Sequence, residues 1–69
     1  MTLKYEKLVE FKKHLNSIGY IEEISATILD FEIGKFFGVS VYTIINVKKA
    51  LERMGLMHTE NFNTWKMRQ

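Results

Sequence analysis

The chain has no cysteine, and that alone excludes disulfide bridges and thiolate metal sites. It also has no proline and only four glycines in 69 residues, which argues against a loop-rich or collagen-like chain. Long apolar runs are missing too. The longest stretch without a charged residue covers 36–47 and is broken by Ser40, Thr43 and Asn46, whereas a membrane-spanning helix needs ~20 apolar residues. The amino terminus shows neither the apolar run nor the small-residue cleavage site of a signal peptide, so a soluble, cytoplasmic protein is expected. His14 and His58 are the only histidines, far apart and without ligand-spaced neighbours, so no metal site is expected. There is no nucleophile motif, no glycine-rich phosphate loop and no acid pair at telling spacing. An enzyme, a cofactor and a small-molecule substrate are therefore not expected.

What is present is globular in composition, with 46% hydrophobic and 26% charged residues. The length predicts one domain over 1–69. A core this small rarely supplies more than ~3–5 kcal/mol, and no covalent staple is available, so a homodimer or a bound partner is the expected extra source of stability. Tyr5 and Val9 are the candidate dimer contacts on the first helix. A monomeric mass in solution at high micromolar concentration would exclude dimerisation there.

Charge is unevenly distributed. Residues 1–19 are net +2, residues 20–34 are net −4 with no base at all, and residues 35–69 are net +4, giving +2 overall. A basic carboxyl half on a chain with sequence pI ≈ 9.0 suits a polyanion better than an acidic partner.

Periodicity supplies the coarse structure. Tyr5, Leu8, Phe11, Leu15 and Ile18 form one stripe of an amphipathic helix, which Gly19 ends. Residues 20–29 fit a helix through Ile21, Ile24 and Ile28, or a short strand; the strand near 25–28 is preferred. Asp30 reads as the N-cap of a short helix with Ile33, Phe36 and Phe37 on its apolar side, ended by Gly38. Gly34 within it costs ~1 kcal/mol relative to alanine, which predicts a closely packed backbone at that point. Ser40 caps a further helix over about 41–54, stopped by Gly55, with Ile44, Val47, Leu51 and Met54 on its core side. Residues 56–60 and 64–68 then flank Asn61-Phe62-Asn63 as a hairpin. Pairing Glu60 with Thr64 sets Thr59 opposite Trp65 and Met57 opposite Met67, which gathers Met57, Trp65 and Met67 on one face. The methionines read as packing filler.

Two helices separated by Gly38-Val39-Ser40 have the spacing of a helix-turn-helix. The string Asp30-Phe31-Glu32-Ile33-Gly34, then Gly38-Val39-Ser40, Thr43-Ile44, Leu51 and Gly55-Leu56 resembles the winged helix-turn-helix family of DNA-binding domains. Members typically carry Glu-Ile/Leu-Ala, Gly-Val/Ile-Ser, Thr-Val/Ile and Leu-x-x-x-Gly-Leu at these places. The resemblance spans 30–69, and the first helix stands where the family has one. This chain departs from it at Gly34, where alanine is usual, and at Lys48, where several members have leucine and Val47 here takes the core role. The resemblance implies a mainly α fold with a small β-hairpin: three helices and a carboxyl-terminal wing. It also implies a stand-alone transcriptional regulator of the kind found in viruses and mobile elements.

The surface of the 41–54 helix can be read independently of that resemblance. Tyr42, Ile45, Asn46, Lys49 and Arg53 lie opposite its core side. Asn46 can pair with adenine through both amide groups, Ile45 can touch a thymine methyl, and Tyr42, Lys49 and Arg53 suit phosphates or base edges. Ser40 at the helix start, with Thr43 one turn on, can hold a phosphate. The hairpin resembles the family's wing, and that resemblance implies Asn61, Phe62 and Asn63 as its tip, with Lys66 and Arg68 beside it, along the flanking backbone or in the minor groove. Phe62 could instead fold over the protein as an apolar lid. The alternative functions are a protein-interaction winged helix docking through Tyr42, Ile45 and Phe62, or single-strand and RNA binding by aromatic stacking.

Overall fold

The computed structural model describes residues 4–38 and 40–68, and of Tyr42 only the backbone; Val39, in the expected turn, lies outside the described residues. The order of elements is α1 (Tyr5–Ser17), β1 (Glu23–Ser25), α2 (Ala26–Phe37), α3 (Val41–Arg53), β2 (Met57–Asn61) and β3 (Thr64–Met67). This is the expected mainly α layout, three helices with a carboxyl-terminal wing.

The α1 stripe does what its period requires. Leu8, Phe11 and Leu15 are fully buried, while Tyr5 and Ile18 at its two ends are exposed. The Phe11 ring lies 5.3 Å from Phe36 and 5.5 Å from Phe37, and those two are 5.1 Å apart, so an aromatic trio fastens α1 to the end of α2. Val9 packs against this same core. Glu32 is the one charged side chain buried among the described residues, and His14 Nε2 at 3.3 Å and Lys35 Nζ at 3.7 Å answer its carboxylate.

The ambiguous stretch resolves into both options in succession. The strand covers only Glu23–Ser25, and the helix begins at Ala26, five residues before the reading from Asp30. Ser25 serves as the cap: its backbone is still extended (φ −69°, ψ 149°) and its Oγ accepts from the Ile28 N–H at 3.2 Å. An N-cap needs extended dihedrals in any case, so the last strand residue can also open the helix. Asp30 therefore falls in the second turn, beyond reach of the free first-turn N–H groups, and its carboxylate turns to α3 instead.

β1 also changes the wing. It pairs antiparallel with β3 (Ile24 opposite Trp65, Ser25 opposite Thr64), so the expected hairpin is two strands of a three-stranded sheet in the order β1-β3-β2. The expected pairs Met57–Met67 and Thr59–Trp65 are present. At the tip the register shifts: Asn61 rather than Glu60 opposes Thr64, with Glu60 as the extra residue of a bulge. The turn is thus Phe62-Asn63 alone. Asn61 causes this, because its Oδ1 accepts the Asn63 N–H at 2.8 Å and closes the loop around Phe62.

α2 ends on Gly38, whose φ of 62° is the left-handed conformation that glycine adopts without strain. α3 stops at Arg53, one residue short of the expected end, and Met54 is 44% exposed rather than part of the core. The chain turns at Gly55 (φ 73°), which brings Leu56 and Met57 into the core at that end; Ala50 is buried one turn earlier beside Val47 and Leu51. The close backbone expected at Gly34 is not there. A Cβ built on it would meet nothing nearer than Ile44 Cδ1 at 3.8 Å, an ordinary contact. Among the described residues no helix is long and apolar enough to cross a membrane.

Two substitutions test these assignments by urea unfolding, where a change of midpoint at constant slope reports stability. Ser25→Ala is expected to cost about 1 kcal/mol through loss of the cap. Gly34→Ala is expected to stabilise by about 0.5–1 kcal/mol, since the helix gains a better former with room for its methyl group. A destabilised Gly34→Ala would show that the glycine sets the α2–α3 distance after all.

Candidate nucleic-acid interface

α3 is amphipathic with a sharp division. Val47, Ala50 and Leu51 are buried and Ile44 packs half-buried beside them, while Ile45, Asn46, Lys49 and Arg53 are all exposed. Ile45 is 47% exposed, a branched apolar residue left in water between polar neighbours. The Tyr42 side chain lies outside the described residues. At the helix start Ser40 occupies the N-cap position, but its side chain makes no bond to the helix backbone. Its Oγ sits 3.4 Å from the Thr43 Oγ1, so two hydroxyls stand together at an end where backbone N–H groups are unsatisfied.

The cations of α3 fall into two kinds. Lys48 is held: its ammonium lies 2.9 Å from Asp30 Oδ1 of α2, a contact ion pair rather than an aligned hydrogen bond, and 5.4 Å from the Trp65 ring centre. With its ammonium over the indole face and a carboxylate partner on α2, a lysine can stand where the family resemblance expects leucine. Val47 beside it is fully buried, so the helix packs deeply at that turn. Lys49 and Arg53, by contrast, have no ion-pair partner among the described residues. Glu52, on the same side, points to the wing and accepts from the Thr59 N–H at 3.4 Å. A shallow groove of about 200 Å³ separates this helix face from the wing, lined by Ile45, Lys48, Lys49, Glu52 and Trp65.

The wing contributes its tip. Phe62 is 93% exposed, so the apolar-lid reading does not hold. Asn61 and Asn63 flank it, both exposed, and the Asn63 carbonyl accepts from the Ala26 N–H at 2.8 Å, pinning the tip to the first residue of α2. Lys66 is set back from the tip. Strand alternation puts it on the sheet face opposite Trp65, in register with Glu23 on one side and His58 on the other, and half-buried. Arg68 lies beyond the far end of the wing, where its N–H bonds to the Leu56 carbonyl and its own carbonyl accepts from Lys12 Nζ; it is not beside the tip.

The structure therefore brings Ile45, Asn46, Lys49 and Arg53 onto one helix face and Asn61, Phe62 and Asn63 onto one turn, with Lys66 apart from both. Two participants escaped the sequence reading. In the sequence Lys48 shows only as a departure from the pattern, and Asp30, which neutralises it, shows only as a cap. The tie from Ala26 to the tip depends on β1 pairing with β3, which no local pattern announces. No protein-family model, characterised protein or solved structure matches the chain.

The adjacent lysines give a direct contrast. Lys48→Ala is expected to lower stability by about 1 kcal/mol, from the lost cation–ring contact with Trp65 and a partly exposed ion pair discounted for solvent. Lys49→Ala is expected to stay within about 0.5 kcal/mol of wild type, as exposed substitutions usually do. Urea midpoints measure both, and equal losses would contradict the distinction between held and open cations.

Proposed function

We propose that the protein binds double-stranded DNA in a sequence-specific manner and acts as a transcriptional regulator, with α3 in the major groove and the wing tip on the flanking backbone or minor groove. The observation that carries this is the composition of the outward face of α3. Lys49 and Arg53 stand open, Asn46 and Ile45 lie beside them, and the one cation turned the other way is already neutralised by Asp30. A face that only had to stay solvated would not need Ile45 in water, and an apolar docking face would not need two open cations. The major groove accepts both: phosphates for the cations, adenine edges for an amide, thymine methyl groups for a branched side chain.

In this reading the cations supply sequence-independent affinity and steer the approach, because each phosphate neutralised releases condensed counterions. Asn46 and Ile45 read base edges, and the paired hydroxyls of Ser40 and Thr43 face a phosphate at the helix start. A homodimer on two half-sites would double the contacts and offset the small size of one domain. The dimer contact proposed on α1 rests on Tyr5, since Val9 packs into its own core.

Fluorescence anisotropy with a labelled duplex at about 50 and 200 mM salt tests the proposal. Five phosphate contacts give a log–log slope near −4.5, a loss of about 2.7 decades over that range. Lys49→Ala and Arg53→Ala are each expected to weaken binding at every sequence and to reduce the slope by about 1. Asn46→Ala is expected to relax discrimination at one base pair, worth about 1–3 kcal/mol. Absence of duplex binding at both salts would overturn the proposal in favour of a protein partner docking on Ile45 and Phe62.

A further inference from the structure

Phe62 is the most exposed large apolar side chain among the described residues, and it is held out rather than merely loose. The turn that carries it is closed on one side by the Asn61 carboxamide, which accepts the Asn63 N–H at 2.8 Å. On the other side the Asn63 carbonyl accepts the Ala26 N–H, also at 2.8 Å, which anchors the turn to α2. Both bonds fix the backbone on either side of a two-residue tip. A Glu60 bulge just before it re-aims the strand, and the two neighbours of the ring are uncharged amides with donors to spare. A rigid turn loses little conformational freedom when its side chain is buried by a partner.

Resting on the duplex-binding reading above, we infer that Phe62 is an intercalating wedge: its ring inserts from the minor groove between two base pairs beside the segment read by α3, and bends the DNA there. An apolar ring has nothing to gain from phosphates and no hydrogen bond to offer a base edge, so a stacked step is the surface of the duplex that would bury it. Opening the step sacrifices stacking, and one ring recovers only part of that. The occupant is therefore a deformable pyrimidine–purine step, TA or CA/TG, rather than a stiff A-tract. Asn61 and Asn63 would sit over the minor-groove acceptors on either side of the opened step. Specificity under the wing then comes from how easily the step deforms, at a position where no base is read by hydrogen bonds in the major groove.

The test uses a duplex of about 25 base pairs recovered by selection, dye-labelled at both ends, with 2-aminopurine beside the step under the wing. Wild-type protein is expected to shorten the end-to-end distance as a bend of about 20–90° requires, and to raise the 2-aminopurine fluorescence by unstacking it. Phe62→Ala is expected to bind about tenfold more weakly, with the bend and the fluorescence rise both lost and the salt slope unchanged. Phe62→Leu, still an apolar wedge, is expected to keep most of the bend. Replacing the TA or CA/TG step by an A-tract is expected to weaken wild type by about tenfold and to leave Phe62→Ala indifferent. A straight duplex under bound wild type, or an equal bend under Phe62→Ala, would overturn the wedge while leaving the Lys49-dependent binding intact. No binding by wild type at any salt would instead overturn the duplex reading itself, and the wedge with it.

Discussion

Trp65 lies on the middle strand, with Ile24 opposite it on β1, Thr59 opposite it on β2 and the Lys48 ammonium 5.4 Å above its ring. The placement of the wing depends on the burial of that indole. A two-stranded hairpin is marginal in water by itself. Here β3 is flanked on both sides, and its inward residues Trp65 and Met67 share one core with Leu8, Phe11, Leu15, Val47 and Leu51. Trp65 therefore turns a flexible hairpin into a fixed arm whose tip has a defined position relative to α3. Lys48 closes the link from the other side, because it touches α2 through Asp30 and the sheet through Trp65 at once.

The same arrangement sorts the charges. Two of the four acids of the segment 20–34 are answered by bases, Asp30 by Lys48 and Glu32 by His14 and Lys35, while Glu22 and Glu23 are exposed. The Asp30 pair takes Lys48 out of play, and the Glu32 pairs hold its carboxylate against α1. On the outward face of α3 itself, Lys49 and Arg53 have no ion-pair partner among the described residues, on a helix whose opposite side is core. A net charge of +2 understates how basic that one face is, because opposite charges are paired elsewhere rather than mixed evenly over the surface.

Much of the α1, α3 and wing pattern was legible in the sequence, because each buries one face and so repeats with its own period. Val47 and Leu51 were assigned to the core and Ile45, Asn46, Lys49 and Arg53 to the surface from the 100° step alone, and burial agrees. The pairing of Met57 with Met67 followed from the alternation of apolar residues along two strands. Met54 shows the limit of that reasoning. It continues the stripe, yet the helix ends before it and Leu56 and Met57 fill the space instead. Residues 20–29 show another, since Ile24 and Ile28 satisfy helix and strand periods equally and only pairing with β3 decides where one gives way to the other.

By itself the sequence determined the three helices, the inner pairs of the wing and the outward residues of α3, since these follow from local periodicity and from turn residues such as Gly38 and Gly55. Tertiary structure alone decided that Ser25 and not Asp30 caps α2, that Asp30 neutralises Lys48, and that β1 joins the wing by pairing with β3. It also decided that the Phe62 ring stands in water instead of covering the core, because the amide of Asn61 and the N–H of Ala26 hold the tip outward. The distant contacts among these join residues as many as 43 positions apart, Glu23 opposite Lys66 being 43, Ala26 N–H to the Asn63 carbonyl 37 and Asp30 to Lys48 18. Periodicity carries no information about which distant side chain meets which. That is settled only when the helices and the third strand close on one another.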